Sequence, residues 1–190
     1  RAGLVSTGPA RDFSAMPSPD LLLDGRSLTI DHVVRIARTP AARVGIVPDA
    51  RRALAASRVL VESAVASGRT MYGINTGFGK LANVRVPPDR LEALQANLVR
   101  SHAAGVGVPL DAAVVRAMML LRANVLVRPT SGVRPELVEA LLALLNADLV
   151  PMVPEQGSVG ASGDLAPLSH VAQVLMGEGE VLGERVGDPP

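Results

Sequence analysis

Apolar residues recur at helical spacing along most of this 190-residue chain, and glycine or proline closes nearly every run. Ile30, Val33, Val34 and Ala37 follow Thr29, a suitable N-cap. Pro48 opens a long pattern through Leu54, Val61 and Val65 that Gly68 stops. Beyond Pro87 and Pro88, Asp89 is placed to cap a third helix with Leu91, Leu94 and Leu98 on its apolar face. A fourth helix starts at Asp111 and runs to about Val127. A fifth has Pro135 in its first turn and ends near Asn146. The stretch 149–153, with Pro151 inside it, reads as extended or irregular. A last helix begins near Asp164 and ends before Gly177. Long apolar helices on short Gly/Pro connections, without an internal repeat, predict a mostly α fold.

Composition narrows the function classes. Apolar residues make up 48%, enough for a packed core. Lysine plus arginine is 19 and aspartate plus glutamate 18, so no basic excess points to nucleic acid. Phe13, Tyr72 and Phe78 are the only aromatics, too few for a base-stacking platform. The absence of cysteine removes disulfides, thiolate nucleophiles and Cys-based metal sites, and fits a reducing compartment. His32, His102 and His170 lie far apart, so no metal site is expected. Lys80 is the one lysine available to a Schiff base. The apolar stretch 112–127 is interrupted by Arg116, Arg122 and Asn124, so no membrane span is expected. Residues 1–20 read as a loose tail, with Met16 a candidate start, and no closing element precedes Pro190.

Two segments break the helical regularity, and both are rich in glycine: residues 72–79 (Tyr-Gly-Ile-Asn-Thr-Gly-Phe-Gly) and 157–164 (Gly-Ser-Val-Gly-Ala-Ser-Gly-Asp). The first is not a Walker A loop. Gly73 and Gly79 enclose five residues rather than four, and Leu81 follows Lys80 where a hydroxyl is needed. A dinucleotide turn would need a strand–turn–helix setting that the pattern lacks. The second is a poor nucleophile elbow, since Asp164 stands where the final glycine should be. Ser162 with His102 or His170 as base is the weaker reading there. Ala161-Ser162-Gly163 has another chemistry open to it. Without a Cβ, Gly163 can bring its nitrogen onto the Ala161 carbonyl carbon. Ring closure with loss of two waters, one using the Ser162 hydroxyl, gives a methylidene-imidazolone electrophile. The plain alternative is a capped helix start, with Ser162 or Asp164 bonding free N–H groups.

The wider context carries a resemblance. Residues 157–170, Gly-Ser-Val-Gly-Ala-Ser-Gly-Asp-Leu-Ala-Pro-Leu-Ser-His, closely resemble the signature of the aromatic amino acid ammonia-lyases. Residues 72–80 resemble their second signature. Leu94-Gln-Ala-Asn-Leu98, Ser101-His-Ala-Ala-Gly105, Ser131-Gly-Val-Arg134 and Gly177-Glu-Gly179 fall in matching order, and the likeness spans about Leu21 to Val181.

The resemblance implies the amino-terminal helical region of an ammonia-lyase/fumarase-like helical-bundle enzyme. Residues 21–155 would form the helical region with the tyrosine loop. Residues 156–190 would hold the electrophile-forming loop and the start of an incomplete central region. It further implies non-oxidative deamination in the cytoplasm by a homotetramer. By the same resemblance the electrophile would form autocatalytically from Ala161, Ser162 and Gly163, with no external cofactor, metal, nucleic acid or membrane expected. Tyr72 matches an active-site tyrosine, a candidate to remove the β-hydrogen. Ser101-His102 resembles the members acting on histidine, with His102 against the substrate imidazole, so L-histidine would give trans-urocanate and ammonia. His170 and Lys80 are read as structural. Arg128-Pro129-Thr130 departs from the family pattern before Ser131-Gly132. Family members are more than twice as long, which implies exposed apolar helix faces in this stretch alone. The rival readings are a tyrosine or phenylalanine lyase or aminomutase, and a non-catalytic fragment or subunit.

Overall fold

The computed structural model describes residues 18–77, 84–161 and 165–183. In chain order they form β1 (Leu21–Leu23), α1 (Ile30–Arg38), β2 (Val44–Ile46), α2 (Pro48–Ala66) and a 3-10 turn (Pro88–Arg90). These are followed by α3 (Leu91–His102), β3 (Val106–Pro109), α4 (Ala112–Val127), α5 (Pro135–Asn146), β4 (Pro154–Gln156) and α6 (Ala166–Leu175). The mostly α expectation holds. Residues 1–17 of the expected tail, Lys80, Ser162, Gly163 and Asp164 lie outside the described residues.

Helix α4 is the centre. Val115, Met119, Leu120, Ala123 and Val127 are fully buried on it, and α1, α2 and α5 pack around them. Val138, Leu141, Leu142 and Leu145 bring the apolar face of α5 into the same core. Local signals set several helix ends. The Thr29 hydroxyl accepts from the His32 amide, and the His32 ring accepts from the Thr29 amide, a reciprocal cap that uses one of the three histidines. Asp111 caps α4 through the Ala113 amide. Pro48 and Pro135 sit in first turns.

Two expectations need correction. Asp89 does not cap α3. Pro87 and Pro88 start a 3-10 turn that contains Asp89, and Arg90 occupies the cap without a side-chain bond. The buried face of α1 is Ile36 and Ala37 with Val33 beside them, while Ile30 is 82% exposed. The strands also escape the periodicity. Leu21, Leu22 and Leu23 pair in parallel with Val44, Gly45 and Ile46, and α1 forms the crossover between them. The Asn146 side chain extends this pair like a strand: its amide oxygen accepts from Val44 N at 2.8 Å and its nitrogen donates to Val44 O at 2.9 Å.

Arg116, 1% exposed, fastens the helices together. All five of its N–H donors are used. Nε and Nη2 donate to Ile36 O, Nη2 also to Thr39 O, and Nη1 to Leu145 O and to Asp148 Oδ1 at 2.6 Å. Those carbonyls belong to the ends of α1 and α5; Thr39 O and Leu145 O also accept from the Ala42 and Asp148 amides, whereas Ile36 O has the guanidinium in place of a helical donor. Asp148 itself adopts φ 57°, the left-handed residue that ends α5, with Leu149 N bonded back to Leu144 O.

Large apolar side chains remain exposed on α2 (Val59, Leu60), β3 (Val106, Val108) and α4 (Val114, Leu121, Val125). Among the described residues no helix is long and apolar enough to cross a membrane.

Arg116→Met removes five hydrogen bonds and strands the buried Ile36 carbonyl. It should lower the unfolding free energy by about 3 kcal/mol or more in denaturant titration. Arg116→Lys should recover less than half of that, because one ammonium cannot reach acceptors on two helices.

Candidate active site

Helix α3 carries the predicted substrate pair at its C-terminal end. Its apolar residues Leu91, Leu94 and Leu98 are only half-buried, and α3 packs on α6. The Arg100 guanidinium grips the Glu178 carboxylate just beyond α6 with both oxygens engaged, one at 2.8 Å from Nε. That hydrogen bond holds the Glu178 carboxyl below its ordinary range.

The ring of His102 turns back on its own helix. Its Nδ1 lies 2.7 Å from Leu98 O and 3.1 Å from Ser101 Oγ, whose hydroxyl donates to the same carbonyl. A carbonyl only accepts, so Nδ1 carries the hydrogen and Nε2 of the neutral ring keeps a lone pair facing outward from that bond. Ser101 thus buttresses His102 beside a shared acceptor.

Three residues past His102 the chain meets the second glycine segment. Strand β3 pairs antiparallel with β4, Val106 opposite Gln156, so Gly105 and Gly157 flank the end of the ladder. A Cβ on Gly157 would lie 3.0 Å from the Ala166 Cβ and 3.4 Å from the Gly105 Cα. One on Gly105 would lie 3.0 Å from His170 Nε2 and 3.2 Å from the Pro154 Cβ. The two backbones approach because neither residue has a side chain. His170 Nε2 accepts the Gly105 N–H at 3.1 Å.

The loop running to Ala161 is exposed and closed on itself. Ala166 N donates to Ser158 O at 2.8 Å and Leu165 N to Val159 O at 3.2 Å, so the chain from Ser158 returns to the start of α6. Gly160 takes φ 59° inside it, and its N–H bonds Ser158 Oγ. The lone pair of His170 Nε2 is taken up by the Gly105 N–H.

Tyr72 sits after α2 on a turn and is 66% exposed. Buried Asn75 builds that turn: its oxygen accepts from Met71 N and its nitrogen donates to Arg69 O, both at 2.7 Å. A bridge between Thr76 and Arg85 closes the turn, and Gly68, at φ 72°, lets the Arg85 guanidinium pass over the end of α2. Residue types alone did not single out Asn75, Gly105 or Gly157. The signal available was their place inside the quoted motifs. Arg128, part of the departure from the family pattern, donates from Nε to Gly25 O at 2.6 Å and ties the end of α4 to the β1 turn. Among the described residues no group of three or more His, Asp or Glu side chains is placed to hold a metal.

A family model described as aromatic amino acid lyase matches residues 28–188. The chain belongs to that family. A histidine ammonia-lyase of Anaeromyxobacter dehalogenans is 58% identical over 162 residues, covering 85% of this chain and 32% of that relative. Among solved structures, a tyrosine aminomutase of Streptomyces globisporus superposes with a TM-score of 0.81 at 39% identity, covering 88% of this chain and 31% of that one. A histidine ammonia-lyase of Trypanosoma cruzi gives a TM-score of 0.76 at 41% identity, over 87% and 31%. The chain therefore spans about a third of the length of the family relatives it matches.

Burial holds the His170 imidazole below its ordinary pKa of 6.5. As pH falls through about 6.5, the unfolded chain takes up a proton that the folded ring resists, so stability drops until the folded ring also protonates. The melting temperature should fall between pH 7.5 and pH 5.5, and the fall should shrink in His170→Gln.

Proposed function

We propose that this chain supplies part of the active site of a histidine ammonia-lyase, which eliminates ammonia from L-histidine to give trans-urocanate. One observation carries the reading. The Ser101-His102 end of α3 and the loop reaching Ala161 meet at one junction of Gly105, Gly157 and His170. Ala161, Ser162 and Gly163 would hold the electrophile, a methylidene-imidazolone, which supplies an electron-poor carbon toward the substrate amine.

The remaining roles fall to side chains. His102, with Nδ1 committed to Leu98 O, offers Nε2 to an N–H of the substrate imidazole. Ser101 keeps that ring in place through the shared carbonyl. Tyr72, on an exposed turn anchored by Asn75, is the candidate to remove the β-hydrogen. The whole protein is proposed as a cytoplasmic homotetramer taking a small amino acid, with no nucleic acid partner.

The second reading, a tyrosine aminomutase-like enzyme, has the solved Streptomyces relative in its favour. The first is preferred because identity to the Anaeromyxobacter histidine ammonia-lyase is 58% against 39%. The Ser-His pair at 101–102 also points to histidine.

Mass spectrometry of the peptide spanning residues 157–164, taken from the whole protein, should show loss of two waters confined to Ala161-Ser162-Gly163. An unmodified peptide rules out the lyase reading. His102→Leu should lower kcat/KM for L-histidine about tenfold or more. Unchanged turnover would show that His102 does not contact the substrate imidazole.

A further inference from the structure

We propose that His170 is a positioning residue: by accepting the Gly105 N–H on Nε2, it holds the Ser101-His102 end of α3 in register with the loop that ends at Ala161. The inference rests on the reading of Ser101 and His102 as substrate contacts.

After α3 ends, the Gly105 N–H needs an acceptor. It finds a side chain 65 residues away rather than a carbonyl of its own turn. That side chain belongs to α6, whose first amides already hold Ser158 O and Val159 O. One helix therefore fixes both partners: the loop through backbone bonds at its start, and the exit of α3 through His170 one turn further on. The distance between the two is set by contact, because a Cβ on Gly157 would press on Ala166 and Gly105, and one on Gly105 would press on His170.

Chemistry also restricts the residue. Nε2 accepts only in the neutral ring, with the hydrogen on Nδ1. Burial favours that neutral form. Glutamine can place an amide oxygen at the same reach as Nε2, whereas leucine fills the space and leaves the Gly105 N–H without a partner.

The test compares wild type, His170→Leu and His170→Gln in the whole protein. Two readouts are taken: KM and kcat for L-histidine, and hydrogen exchange of residues 98–106 and 157–161. His170→Leu should raise KM about tenfold, because a displaced His102 weakens binding in ground and transition states alike. Exchange should quicken in both segments. His170→Gln should stay within about threefold of wild type in KM and keep the protection. A His170→Leu enzyme with unchanged KM and only a lower apparent kcat has merely lost folded protein, and overturns the proposal. So does a glutamine variant as impaired as the leucine one. If the wild type does not turn over L-histidine, the lyase reading fails and exchange decides alone. Protection lost from both segments in the leucine variant and kept in the glutamine variant sustains the positioning role. A change confined to α6 overturns it.

Discussion

A single buried guanidinium orders the helical core. Arg116 lies in the second turn of α4, flanked by Val115 and, one turn on, by Met119 and Leu120. Removing such a charge from water is costly unless every donor finds an acceptor. Here the acceptors are carbonyls at the ends of α1 and α5, that of Ile36 having no backbone donor, with the Asp148 carboxylate balancing the charge. The arrangement solves two problems with one residue, since helix ends buried in a core also need partners. It sets where α1 stops, how α5 turns into the segment leading to β4, and how both lie against α4.

The site inherits that order along the chain. Leaving α5, the chain passes Asp148, pairs Leu110 N with Val153 O, and enters β4 beside β3. The β3–β4 ladder then puts Gly105 against Gly157. The catalytic proposal therefore hangs on backbone approach between two glycines more than on any cluster of polar side chains. It also explains how an exposed strand, β3, can matter: what it fixes lies at its end, where Gly105 meets His170.

Much of this was legible in the sequence where the signals were local. Thr29, Asp111, Pro48 and Pro135 each act within one turn, and the helices they open lie close to where the pattern puts them. Asp89 misled because two prolines before it favour a tighter turn than the α-helix. The three-residue strands β1 and β2 are too short to display alternation, and the partner is a whole helix away. Arg116 was visible only as an interruption of an apolar run. Its meaning depends on carbonyls that no pattern records. The candidate site was readable through its motifs, which name His102 and Ala161. The part played by His170 became visible only with the distance to Gly105 in hand.

The contact between Val44 and Asn146 has a consequence for how the chain is made. The two residues are 102 positions apart, Gly25 and Arg128 are 103 apart, and Ile36 and Arg116 are 80 apart. At a synthesis rate of about 5–20 residues per second, β2 leaves the ribosome roughly 5–20 s before the side chain that covers its edge exists. During that interval the leucines of β1 and the open edge of β2 form a short apolar template for neighbouring nascent chains. The β1–β2 pair therefore gains the partner for its open edge only once α5 has been made.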